Sequence, residues 1–182
     1  MEIKNSFRRK VAGSTAHRPI RDELSGMVLA DISLFSDLLG MATDVKDKDY
    51  HKACWILELV LEQQIEWLLP YLDHFCNSIS SLKHDGAIRS LSKICLFAVQ
   101  HQEESDFLTK GHIQLITEAC FDWLINPEGK VAAKAYAMRA LYLLGKKQDW
   151  IYPELKHILQ QDFQHHTAAY KVAAREVLKS IK

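Results

Sequence analysis

Apolar side chains recur along this chain at three- and four-residue intervals, the spacing of a helix that buries one face. Between Ser25 and Met41 the positions are Met27, Val28, Ile32, Phe35, Leu38 and Leu39, with Gly40 suited to cap the predicted helix. The charged run Asp44-Val-Lys-Asp-Lys-Asp49 reads as a connection, and Asp47 or Asp49 can cap the next helix. Residues 50–64 contain Ala53-Cys-Trp-Ile-Leu-Glu-Leu-Val-Leu61, apolar nearly all round, as in a central helix packed on several sides. Pro70 suits the first position of a fresh helix reaching about Ser80, because the missing N–H has no partner there anyway.

Further along, helices are predicted at about 86–100 and 111–125, joined by the polar loop His101-Gln-Glu-Glu-Ser-Asp106, with Thr109 as a cap. Asn126-Pro-Glu-Gly129 reads as a start signal for a helix over 130–145. Asp149 and Trp150 lead into a helix at 153–163, and a last helix at about 166–181 carries Lys171, Arg175, Lys179 and Lys182 outward. The polar residues 1–24 form a basic N-terminal segment able to make one short helix over Ile3–Val11. Residues 25–182 are then a single helical-repeat domain, and eight or nine helices are expected with no strand.

One stretch occurs twice. Trp67-Leu-Leu-Pro-Tyr-Leu-Asp-His-Phe75 is echoed by Trp150-Ile-Tyr-Pro-Glu-Leu-Lys-His-Ile158, and the two tryptophans lie 83 positions apart. That is about twice the ~40–47-residue period of helix-pair solenoids, so a third unit lies between the copies. Trp67, Pro70, Leu72 and His74, with Trp150, Pro153, Leu155 and His157, are therefore expected to do repeated structural work. For the tryptophans and histidines, that work is packing between helices or satisfying carbonyls.

Composition narrows the class. The chain has 182 residues, 48% of them hydrophobic, enough for one continuous core. Lys+Arg and Asp+Glu balance at 23 each, so no global field draws it to nucleic acid or to an anionic membrane. The distribution is uneven. Lys4, Arg8, Arg9, Lys10, Arg18 and Arg21 face only Glu2, Asp22 and Glu23 in the first segment, whereas residues 31–75 carry nine carboxylates. Cys54, Cys76, Cys95 and Cys120 lie far apart without a C-x-x-C pair, which fits reduced core thiols. No apolar leader core and no run of about 18 apolar residues is visible, so a soluble cytoplasmic protein without a membrane role is expected.

Helix pairs with a period near forty, the small residues Ala132, Ala133, Ala135, Ala137 and Ala140 and a proline opening the second helix resemble HEAT or armadillo repeats. The resemblance covers about 25–181 and implies an all-α fold, an α-α superhelix of HEAT/armadillo-like helix pairs. Lys52-Ala-Cys-Trp-Ile-Leu-Glu58, Glu118-Ala-Cys-Phe-Asp-Trp-Leu-Ile-Asn126, Lys134-Ala-Tyr-Ala-Met138 and Ala168-Ala-Tyr-Lys171 further resemble a family of short bacterial helical-repeat proteins often labelled adenylosuccinate lyase. No lyase residue carries over. The nearest serine cluster, Ser78-Ile-Ser-Ser81, lacks the glycine before it and the Met-x-x-Lys after it.

Three constellations could carry function. Lys52, Arg89, Lys93, Lys134, Arg139, Lys171 and Arg175 fall on the first helices of the pairs, where a cationic ridge would meet an acidic peptide or a phosphate backbone. Isolated cations on helices are ordinarily just a solvated face. Trp123 with Asp122, or Trp150 with Asp149, would supply the aromatic and carboxylate of a DNA alkylation-repair glycosylase, an enzyme class built on similar repeats. His51 with Cys54, and Asp162 with His166 near His157 and His165, have metal-like spacings but no complete ligand set, so no metal or cofactor is expected. Nucleophile-elbow, P-loop and dinucleotide motifs are absent. Glu58, in its apolar run, calls for an inter-helix partner such as Arg89 or Arg139. The balance favours a non-catalytic scaffold for a protein or peptide partner, with nucleic-acid binding or repair as the alternative and lyase chemistry behind both.

Overall fold

The computed structural model describes residues 2–181; Met1, Lys182 and the side chains of Glu2, Ile3, Lys4 and Asp162 lie outside the described residues. Among the described residues there are ten α-helices and no strand, one helix more than the upper expectation. Their contacts divide the chain into two compact units between Ile94 and Cys95. No single helix among them is long and apolar enough to cross a membrane.

The first unit holds α1 (Glu2–Ala12), α2 (Arg18–Ala30), α3 (Phe35–Thr43), α4 (Tyr50–Leu61), α5 (Leu72–Ser78) and the start of α6 (Asp85–Gln102). Helix α4 is central, as its composition demanded. From Ala53 to Leu61 only Trp55 is not buried, and α1, α2 and α3 all pack on it. Each large side chain so buried contributes about 1.5–3 kcal/mol. Phe7 and Val11 bring α1 into the same core.

The single helix predicted from Ser25 to Met41 is in fact two, α2 and α3, bent by 110°. Asp31 makes the break. Its backbone is extended, its N–H returns to the carbonyls of Met27 and Val28, and its carboxylate accepts from the Ser33 N–H at 3.0 Å. An aspartate thus offers the backbone a local alternative to the helix, while the apolar spacing runs on because both helices face one core. Gly40 lies inside α3 rather than capping it; the Thr43 hydroxyl donates to the Leu39 carbonyl at 2.9 Å in the last turn.

The second unit holds the end of α6, then α7 (Lys110–Ile125), α8 (Val131–Gly145), α9 (Ile151–Asp162) and α10 (Ala168–Ser180). Here α8 is the centre, in contact with α7, α9 and α10. Its alanines Ala133, Ala137 and Ala140 are buried and let neighbours approach closely. Thr109 caps α7 as expected, and the His112 ring completes the box by accepting from the Thr109 N–H. Asn126 is a correction: it ends α7 instead of starting α8, and its side chain accepts from the Glu128 N–H at 3.0 Å, an Asx turn.

Gly145 ends α8 under the ring of Tyr152, which itself stacks on Tyr142 at 5.9 Å. A methyl group at Gly145 would lie 2.2 Å from the Tyr152 ring, too close for any rotamer change at position 145 to relieve. Gly145→Ala is expected to cost about 1–3 kcal/mol by overpacking, read as a lower urea midpoint at unchanged slope, and Tyr152→Ala in the same chain should recover part of it.

Candidate functional site

Of the proposed ridge, three residues lie in the first unit, and all three are held by its own acids. Glu58, 1% exposed in the middle of α4, receives Arg89 at 2.9 Å, Lys93 at 3.2 Å and the Ser90 hydroxyl at 2.6 Å. Lys93 reaches Glu62 as well, at 3.0 Å. Arg89, one of the two partners foreseen for Glu58, is therefore the one used. Burial alone would lower the Lys93 pKa, yet its hydrogen bonds to Glu62 and Glu58 leave it raised. Lys52 pairs with Asp49 at 2.9 Å and donates to the Ala12 carbonyl; that contact, not an N-cap bond, is the role of Asp49, and it lowers the aspartate's pKa.

The other four ridge positions lie in the second unit and differ among themselves. Lys134 is 1% exposed, inside the core beside Gly129, so it does not belong to a surface ridge. Arg139 binds Glu176 at 2.8 Å. Lys171 and Arg175 instead lie over the ring of Phe163, at 5.9 Å and 5.1 Å from its centre.

The paired motif splits in the same informative way. Leu72 and Leu155 are both buried; Pro153 lies in the first turn of α9, whereas Pro70 does not open α5 as expected but lies inside the 3-10 helix Ile65–Tyr71 that precedes it. His74 and His157 are both exposed, and His74 bonds the Thr43 hydroxyl at 2.8 Å. The tryptophans part company. Trp67 packs edge-on against Phe35 at 5.8 Å, the expected packing role. Trp150 departs from it: 57% exposed, it stacks on Phe121 at 5.8 Å and donates its indole N–H to Gln148 at 3.2 Å.

That departure marks a groove. On α7, His112, Ile116, Cys120 and Trp123 turn inward, so Lys110, Gln114, Glu118, Phe121 and Asp122 share the opposite side. After α8 the chain turns through Lys146–Asp149, where Lys146 is tied to Glu103 at 2.7 Å, and delivers Trp150 onto Phe121. The result is a concavity of about 820 Å³ with Ile113, Thr117, Phe121 and Trp150 as its apolar wall. Glu118, Asp122, Lys110 and Lys147 supply charges of both signs, and Gln114 donates to Glu118 at 2.9 Å. Of the two aromatic–acid pairs foreseen, neither forms the site: Trp123 is buried, and the groove is lined by Trp150 with Asp122. The exposed stripe of α7 carried no motif; only its charged and aromatic residues opposite the core pattern could have indicated it.

The remaining chemistry is structural. Cys54 donates to the Ala42 carbonyl, away from His51, and burial pushes its thiol pKa up; those of Cys76 and Cys120 rise to about 12 for the same reason. All four cysteines are buried and form no disulfide with one another. Among the described residues, no three His, Cys, Asp or Glu gather as a metal-ligand set. Ser78 and Ser81 donate to the carbonyls of His74 and Ser78, so those hydroxyls serve their own helix. His51 stacks on His84 at 3.9 Å, and burial, with His84 second, lowers its pKa.

Successive helix pairs, each unit built around one central helix, define an α-helical repeat protein. The match of the HEAT repeat domain model to residues 7–181 shows that the chain belongs to that family. No curated protein and no solved structure matches the chain significantly.

Two outcomes are expected for the first unit. Glu58→Ala should destabilise by about 2 kcal/mol in urea unfolding, less than the roughly 3–5 kcal/mol of a fully buried pair because Arg89 reaches solvent. At His51 the unfolded chain takes up a proton near pH 6.5 while the folded chain resists it. The histidine's stabilising share is thus present above pH 6.5 and lost as pH falls below it, and His51→Phe should flatten the fall in urea midpoint between about pH 7.5 and 5.

Proposed function

We propose that this HEAT-repeat protein is a non-catalytic scaffold, and that its second unit captures a segment of a protein partner in the groove along α7. The observation that carries this reading is Trp150, a large aromatic left 57% exposed on an aromatic floor beside an 820 Å³ concavity. Buried aromatics anchored in such pockets dominate protein interfaces, and an apolar wall rimmed by both signs of charge suits a mixed polypeptide better than a polyanion. Of the cationic ridge, Lys171 and Arg175 support partner contact, since among the described residues they meet a ring and a carbonyl and not a carboxylate. Four buried, reduced thiols support a reducing, cytoplasmic setting.

Nucleic-acid binding is kept as a second reading on one observation: the groove does bring an exposed tryptophan and a carboxylate, Asp122, together with Lys110 and Lys147. Labelled duplex and single-stranded DNA titrated at two salt concentrations separate the two, because phosphate contacts weaken steeply with salt. No binding at low salt removes the repair reading. Lyase chemistry draws no support from the serine cluster, whose Ser78 and Ser81 hydroxyls are bonded to carbonyls.

The groove itself is tested by selecting binders from a displayed random-peptide library on the full chain and measuring the selected peptide by anisotropy. Trp150→Ala is expected to weaken it about tenfold or more, which is about 1.4 kcal/mol, with little change in Tm. Equal affinity for wild type and variant would place the peptide elsewhere and remove the groove as the partner site.

A further inference from the structure

Helix α10 presents a second surface with a different chemistry. Tyr170, Ala173, Ala174 and Val177 are buried, and the opposite side carries Lys171, Arg175 and Lys179 at four-residue intervals, hence about 6 Å apart along the axis. Glu176 is the one carboxylate on this helix, and it is engaged by Arg139. Apolar residues flank the cations, one on each side of the row: Val172 is 61% exposed, and Leu178 is half-buried.

The cations are also held in place. Phe163, at the end of α9, has the Lys171 ammonium 5.9 Å and the Arg175 guanidinium 5.1 Å from its ring centre. Lys171 donates in addition to the Gln164 carbonyl at 3.3 Å. Cation–π contact and a carbonyl orient these groups without neutralising them, unlike the ion pairs that occupy Arg89, Lys93 and Arg139. Beside them lies a recess of about 400 Å³ formed by Gln160, Phe163, Gln164, Arg175, Leu178 and Lys179, wide enough for one apolar side chain.

We infer that this face of α10 is a docking site for an acidic amphipathic helix of a partner protein. Carboxylates at i, i+4 and i+8 on such a helix repeat at the same rise of about 6 Å as Lys171, Arg175 and Lys179. The apolar residues on the same side of the partner cover Val172 and Leu178, and one of them enters the recess beside Phe163. A nucleic-acid strand would use the cations but leave the apolar residues flanking them wet, so the mixed face favours the helix. This site is separate in its residues from the α7 groove and does not depend on it.

The test uses the full chain and two labelled synthetic peptides of about 20 residues, long enough to form a helix. One places glutamates every fourth residue beside a row of leucines; the other has the same composition scrambled. The spaced peptide is expected to bind about tenfold more tightly than the scrambled one. Lys171→Gln/Arg175→Gln/Lys179→Gln should abolish that preference with an unchanged circular dichroism spectrum, and Trp150→Ala should leave it intact. A charge-reversed pair, Lys171→Glu/Arg175→Glu with lysines in the peptide, should restore binding. Equal binding of spaced and scrambled peptides would overturn the inference, as would single-stranded DNA binding more tightly than the spaced peptide and losing its affinity in the same triple variant.

Discussion

Everything in this molecule depends on two central helices on which their neighbours must pack. Helices α4 and α8 bury more of their residues than a one-faced surface helix does, eight in each, so neither can stand without neighbours. Their neighbours are recruited to exclude water, α1, α2 and α3 around the first and α7, α9 and α10 around the second. The hydrophobic effect fixes which side of each recruited helix faces inward. What is left outward is free of that constraint, and that is where function has room to reside.

The two units use their outward residues differently. In the first, Glu58 sits at the centre of the buried helix and fixes α4 against α6 through Arg89, Lys93 and Ser90. A buried carboxylate tolerates few alternative registers, since losing its partners leaves a charge in a low-dielectric core. Those cations are thereby committed to architecture. In the second unit Trp150, 57% exposed, and Phe121 form an aromatic platform, and Lys171 and Arg175 are oriented by a ring.

The core was the legible part of the sequence. The three- and four-residue apolar spacing located α4, α7, α8 and α10 within a few residues, and Thr109 announced its helix. Two of the misread boundaries share one cause: a polar residue whose side chain could serve either of two adjacent elements. Asp31 broke a helix that the apolar period carried straight through, and Asn126 finished one helix instead of starting another. The candidate site was less legible, because sequence records that a cation exists but not which acid it meets across the fold. Lys134, placed on a surface ridge by its charge, is buried beside Gly129. The repeat of Trp67 by Trp150 was visible, yet only the fold separates a tryptophan that packs from one that is offered to solvent.

The most direct test of partner capture at Trp150 is fluorine NMR on the protein labelled with fluorotryptophan, whose four tryptophans give four assignable signals. A groove-selected peptide is expected to shift the Trp150 signal and leave those of Trp55, Trp67 and Trp123 in place. A peptide that binds while the Trp150 signal stays fixed would contradict this, and would mean that the exposed aromatic platform is not where the protein meets its partner.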